Sequence, residues 1–187
     1  MRRIKLLSAS ATPPVCFPVK KTIEPPDIHH LNAAIGWLEL NNHVEAGEEI
    51  ARVSTANLTH PDVLEVRWAV CAEGQSWDAA AEVAEALVKV APKRASAWVH
   101  RAYAVRRMRG GGIERAQELL LPALARFPKD GLIPYNLACY AAQLGQLDQA
   151  WERLNQAMKR SGAIAVLKEQ ALADKDLEPL WDRIRGL

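Results

Sequence analysis

Residues that stop helices recur along this chain at a nearly constant interval, and that interval constrains the fold more than any single motif. From Asp27 onward the sequence is rich in Ala, Leu, Glu and Arg, with few β-branched runs, a pattern that favours helix. One set of breaks falls at Asn41-Asn42, Gly74, Gly110-Gly111-Gly112 and Gly145. A second falls at Pro61, Pro92, Pro128 and Ser161-Gly162. Gly and Asn suit the left-handed backbone that ends a helix, and Pro cannot continue one. The two sets alternate, so the chain reads helix, tight turn, helix, looser turn, four times over. Units begun at Asp27, Pro61, Ala95 and Gly131 are offset by 34, 34 and 36 residues, the extra two lying in the triple-glycine turn.

A small residue keeps the same place in every unit. Ala46, Ala80, Ala116 and Ala150 align, followed seven residues on by Val53, Leu87, Ala123 and Ala157. Seven residues are two helical turns, so both sets lie on one face. A methyl recurring at one position predicts two helices approaching too closely for anything larger. Trp77, Ile113 and Leu147 stand three residues before the alanine, with His43 the exception.

A 34-residue helix-turn-helix period with a small residue in the second helix resembles the tetratricopeptide repeat family. The fourth unit carries the resemblance best, from Tyr135-Asn136-Leu137-Ala138-Cys139-Tyr140 through Gly145, Ala150, Leu154 and Ala157. The third supplies Trp98, Ala102, Ala116 and Pro128; the second supplies Trp77, Ala80 and Pro92; the first keeps Ala34 and Ala46. The resemblance implies an all-α, right-handed α-solenoid of four repeats over 27–60, 61–94, 95–130 and 131–160. Capping helices are expected over 161–187, where Asp176 can cap a helix whose Leu177, Leu180, Trp181 and Ile184 share a stripe. Three departures bear on register or shape. Arg67 and Arg101 stand where the family has a buried leucine, Trp68 stands where it has a small residue, and Pro122 lies inside a second helix, where a local bend is expected. The six tryptophans read as structural.

Ahead of the repeats, residues 1–26 read as a basic, proline-rich, disordered arm. Residues 1–23 carry +5 through Arg2, Arg3, Lys5, Lys20 and Lys21, leaving −3 for the remainder of a chain whose net charge is +2. The apolar run at Leu6-Leu7 breaks at Ser8-Ala9-Ser10, so no signal core forms. The arm is expected to lie across Ile28, Leu31, Ile35 and Leu38. Cys16, Cys71 and Cys139 are too few and too far apart for a disulfide framework, so a reducing, cytoplasmic setting is expected.

As the resemblance implies, the first helices line a concave groove that takes a peptide or a partner helix. The contacting positions here hold Leu31, Ile35, Leu38 and Glu39 in unit one, and Asp62, Glu65, Ala69 and Glu73 in unit two. Unit three offers Val99, Tyr103, Arg106 and Arg107; unit four offers Leu132, Tyr135, Cys139 and Gln143. The family's Lys/Asn clamp for a C-terminal carboxylate is missing, since Leu31, Ile35, Glu65, Val99 and Tyr103 occupy its positions. What remains is acidic over units one and two and basic over unit three. It suits a ligand with a basic stretch, an apolar anchor and an acidic stretch, unless these charges only solvate a helix face.

The function expected is a non-enzymatic protein-interaction module, an adaptor or scaffold with no cofactor and no metal. Two other binding readings stand beside it: a dedicated chaperone for an unstructured partner segment, and a nucleic-acid-binding repeat using Arg101, Arg106, Arg107, Arg109 and Arg115. Interleaved stacking aromatics are few, so a nucleic-acid ligand is not expected. No HExxH, GxxxxGK[ST] or GxGxxG motif is present. His29 and His30 are adjacent and face different ways, which is poor ligand geometry. Cys139 reads as a buried small hydrophobe rather than a nucleophile paired with His100. The register itself is testable. Ala150→Leu should overpack the helix contact and cost ~1–3 kcal/mol in denaturant unfolding; an unchanged midpoint would mean that the alanines do not mark the contact.

Overall fold

The structure is a computed structural model that describes residues 22–187. Most of the arm expected over 1–26 therefore lies outside the described residues. Its last part does not. Ile23 is buried against Leu31, Ala34, Val53 and Val63, so the chain joins the core four residues before the first helix.

The described chain is helical, without strands. Unit one is α1 (Asp27–Glu39) and α2 (His43–Ala51); unit two is α3 (Pro61–Glu73) and α4 (Trp77–Val90). Unit three is α5 (Ala95–Arg107), α6 (Ile113–Leu120) and α7 (Ala123–Arg126); unit four is α8 (Leu132–Gln143) and α9 (Leu147–Ser161). The chain closes with α10 (Ile164–Ala173), a 3-10 helix (Lys175–Leu180) and α11 (Trp181–Arg185). Each first helix packs on its own second helix and on the first helices beside it, α1 on α3, α3 on α5 and α5 on α8.

Three of the four tight turns are alike. Asn42, Ser76 and Gln146 each donate the backbone N–H to the carbonyl five residues back, on Trp37, Cys71 and Ala141. The preceding residues Asn41, Gln75 and Gly145 have φ of +59°, +56° and +74°, the left-handed closure of a Schellman-type helix end. In unit two the left-handed residue is thus Gln75, not Gly74. Gly74 is small for another reason: a Cβ there would sit 3.1 Å from the His43 ring. Side-chain caps start α2 and α8. Asn42 accepts from Glu45 N–H, and Asp130 accepts from Leu132 and Ile133 N–H, each satisfying donors that a helix start leaves open. Pro61 occupies the first turn of α3, where its missing N–H costs nothing.

Ala46, Ala80, Ala116 and Ala150 have no exposed surface at all. Leu87, Ala123 and Ala157 are equally closed, and Val53 is buried although α2 ends two residues before it. The core falls into three clusters along the array. The first lies around Leu31, Ala46 and Val63, the second around Leu64, Trp68 and Leu87, and the third around Ala116, Leu137, Leu154 and Leu177. A stack whose units touch only their neighbours has this segmented interior. Pro122 divides the second helix of unit three into α6 and α7. Leu121 and Pro122 keep helical torsions, so the direction of the chain survives the break.

Three expectations change. Asp174, not Asp176, caps the final segment, accepting from Asp176 N–H. Leu177, Leu180 and Ile184 are buried as expected, but they sit on a 3-10 turn followed by a short helix. Trp37 is 36% exposed, so it is not a core tryptophan. Arg101 avoids the desolvation expected at a leucine position by reaching the Glu85 carboxylate and the Leu119 carbonyl, both at 3.2 Å, across the Trp98 ring.

The triple-glycine turn is conformationally determined. Gly110 has φ +68° and Gly112 φ +139°. A Cβ on Gly111 would lie 1.8 Å from the Val105 carbonyl oxygen. Gly111→Ala should therefore destabilise the chain by about 2 kcal/mol or more. Gly110→Asn, whose Cβ meets open space and whose residue type tolerates left-handed backbone, should cost less than about 1 kcal/mol. Urea unfolding of the two variants should separate them.

Candidate functional site

The groove-facing positions do not form one uniform wall. Leu31, Val99, Tyr135 and Cys139 are buried, each at 5% exposure or less. None of them lines the open cleft on this face, and the expectation that they line an open groove is corrected. Tyr135 and Cys139 lie against the C-terminal segment. Ile35, Glu39 and Glu73 are exposed, while Glu65, Tyr103, Arg106 and Arg107 are partly covered.

Unit four is closed by the C-terminal segment. The 3-10 helix packs on α8 and carries Asp174 and Asp176 onto its surface. Tyr135 Oη donates to Asp174 Oδ2 at 3.1 Å, and Gln143 Nε2 donates to the Asp176 carbonyl at 3.0 Å. Asp176 receives both terminal nitrogens of Arg106 from α5, a bidentate pair with the second contact at 2.8 Å. That pair, ahead of burial acting the other way, raises the Arg106 pKa. Burial drives the Cys139 thiol well above its ordinary value, and the Asp174 and Asp176 charges add to the shift. Such a thiol is a poor nucleophile. Its polar neighbour is Asp174, not the His100 considered as a catalytic partner. Cys139, Asp174 and Asp176 bring three possible metal ligands within 4.8 Å of one another. The Arg106 guanidinium and the Tyr135 hydroxyl already hold the carboxylates, so the donor set suits an ion-pair lock better than a cation.

The open part of the face spans α1, α3 and α5. A cleft of about 180 Å³ lies there, lined by Leu38, Glu65, Val66, Trp68, Ala69 and His100. Its floor was not foreseen. Trp68 stacks on His100 with ring centroids 3.7 Å apart and 12° between planes. His100 Nε2 lies 2.7 Å from Glu65 Oε2, and Ser96 Oγ donates to Glu65 Oε1 at 2.6 Å. Arg94 reaches Asp62, and stands 3.8 Å from Glu65. Burial alone would raise the Glu65 carboxyl. Hydrogen bonds from His100 and Ser96, with the charges of His100 and Arg94, outweigh it and hold the carboxyl below its usual range. The trio is not a nucleophilic triad, because Ser96 bonds the carboxylate and not the imidazole. The one available hint was Trp68 itself, a large ring in a small-residue position, which needs a flat partner from the next helix.

Beyond Trp68 the aromatic row continues. Tyr103 meets Trp68 and Trp77 edge-on, at 6.1 and 5.8 Å, and the Arg107 guanidinium lies 3.5 Å from the centre of the Tyr103 ring. Three of the arginines grouped in the sequence are taken up by separate partners. Arg101 faces Glu85, Arg106 faces Asp176, and Arg107 lies on Tyr103, so no continuous phosphate track forms among them.

No protein-family model and no curated protein sequence matches the chain. Solved structures do. The thermophilic TPR protein TTC0263 of Thermus thermophilus superposes with a TM-score of 0.63 at 19% identity, over 86% of this chain and 100% of that one. MamA AMB-1 gives 0.57 at 17% identity, over 86% of this chain and 91% of its own. MamA MSR-1 gives 0.57 at 16%, over 87% and 97%. At such identities the likeness is one of fold.

The Glu65 cluster has a pH signature. Its folded pKa is depressed, so the stabilisation is complete above the ordinary carboxylate range and disappears as pH falls through the depressed value. Wild type should therefore exceed Glu65→Gln in urea midpoint at neutral pH, and the gap should close on acidification below that range. A gap independent of pH would mean that the charge on Glu65 does not contribute.

Proposed function

We propose that this tetratricopeptide-repeat-like solenoid is a non-enzymatic interaction module, an adaptor or scaffold, that receives an extended peptide or a helix of a partner protein. The receiving surface is the first-helix face of units one to three. Unit four does not take part, because the C-terminal segment covers it. The observation that carries the reading is the cleft beside Trp68. Its walls are the apolar side chains of Leu38, Val66 and Ala69, with Glu65 and His100 already satisfied by each other. A concave, apolar, preformed hollow of this kind is where a protein takes a side chain of a ligand. Ile35, one turn before Leu38 on α1 and 40% exposed, extends the apolar surface at the rim. Glu39 and Glu73 supply acidic edges, so the acidic groove expected over units one and two rests on them and not on Glu65.

Among the described residues no helix is long and apolar enough to cross a membrane, and the proposed partner is a protein. A photo-crosslinking residue placed at position 69 in the cleft, and separately at exposed Glu82 on α4, tests the reading. Adducts with a partner polypeptide should form from position 69, vanish when Leu38→Arg fills the cleft, and not form from position 82. Adducts from both positions alike, or from neither, would remove the proposal.

A further inference from the structure

Two adjacent arginines end α5, and among the described residues only one of them has an acid. Arg106 lies over the Tyr140 ring at 5.5 Å and is neutralised by both oxygens of Asp176. Arg107 has the same kind of aromatic bed, 3.5 Å from the Tyr103 ring centre and 5.4 Å from that of Trp77. Its hydrogen bond goes to the Tyr103 carbonyl of its own helix, at 3.2 Å, and no carboxylate among the described residues lies within ion-pair distance. Burial lowers its pKa and Arg106 beside it adds to the shift, against the opposing influence of Tyr103, Tyr140 and Asp176. A half-buried guanidinium with no carboxylate in direct contact is only partly compensated, and its planar fork on an aromatic face is held ready for one.

We infer that Arg107, on its bed of Tyr103 and Trp77, is the receptor for a single carboxylate of the partner, so that the ligand is a peptide pairing an acidic side chain with the apolar one seated against Trp68. The inference rests on the groove reading above and adds the chemistry of its occupant. Two observations select a carboxylate over a phosphate chain. The protein's own Asp176 already satisfies the neighbouring guanidinium in this way. Glu73, which holds the same repeat position as Arg107 on α3, is an exposed acid that repels a polyanion. The spacing follows from the rings. Trp68 to Tyr103 is 6.1 Å and Tyr103 to the guanidinium 3.5 Å, so the Trp68 ring and the guanidinium lie within about 10 Å of each other, a span of about three residues of extended chain.

Phage-displayed random peptides panned on the full chain test this. Enriched sequences should combine an aliphatic or aromatic residue with Asp or Glu about three positions away. A synthetic peptide from that pool should bind about tenfold more weakly to Arg107→Gln, and the same peptide with its acid changed to the amide should bind wild type and variant alike. Should Arg107→Gln unfold, the acid and amide peptides compared on wild type decide the matter: a difference of about tenfold supports the receptor and equal affinity overturns it. Enriched peptides without an acid would overturn the carboxylate receptor while leaving the groove standing. No enrichment would remove both. A labelled oligouridylate that binds wild type and loses affinity in Arg107→Gln would overturn the inference in favour of nucleic acid.

Discussion

Close approach of paired helices sets the geometry of the whole array. Ala46, Ala80, Ala116 and Ala150 place a methyl where each second helix meets its first, and all four are sealed from solvent. Interiors packed at crystal-like density tolerate no larger group at such a point without displacement of a helix. The contact repeats from unit to unit, and the first helices α1, α3, α5 and α8 are brought side by side. The cleft, the aromatic row and the covered surface of unit four are all consequences of that alignment.

The loops between units are tied as firmly as the turns within them. Buried Asp27, at the start of α1, accepts from the Ser54 backbone and hydroxyl and from Asn57, which ties the loop after α2 to the start of the first helix. Arg126 and Trp98 both donate to the Pro92 carbonyl, and Arg160 reaches the Phe127 and Asp130 carbonyls. Polar side chains from later in the sequence thus satisfy carbonyls that a short loop leaves without partners.

The architecture was legible because its signals are local and repeated. Helix stops, small residues and turn glycines report on backbone geometry within a few residues, and four copies in register reinforce one another. The site was only partly legible. The repeat frame put Tyr103, Arg107, Val99 and Cys139 on one face, but it could not separate the partly covered pair from the buried one, whose burial depends on the packing of neighbouring helices and, for Cys139, of the C-terminal segment. Nor could it foresee Asp176 crossing from the last segment to Arg106, a contact between residues 70 apart in sequence. Pairing of Trp68 with His100 is hidden for the same reason: each residue alone is an anomaly, and only juxtaposed helices make them a stack. Gly74 and Gln75 mark a smaller limit. Residue type pointed to Gly74 as the left-handed position, but that position is Gln75, and Gly74 instead lies close to the His43 ring.

The division of the interior into three clusters has a mechanical consequence. Nearest-neighbour stacks open piecemeal, and a unit's resistance depends on how many interfaces flank it. Units three and four share one large cluster with the final segment, clasped by Arg106 and Asp176, whereas α1 and α2 draw on the small cluster around Leu31 and Val63. Among the described residues the leading hairpin thus shares a smaller interior than units three and four. An occupant bridging α1 to α5 would act as a splint across that end, trading part of its affinity for added stiffness.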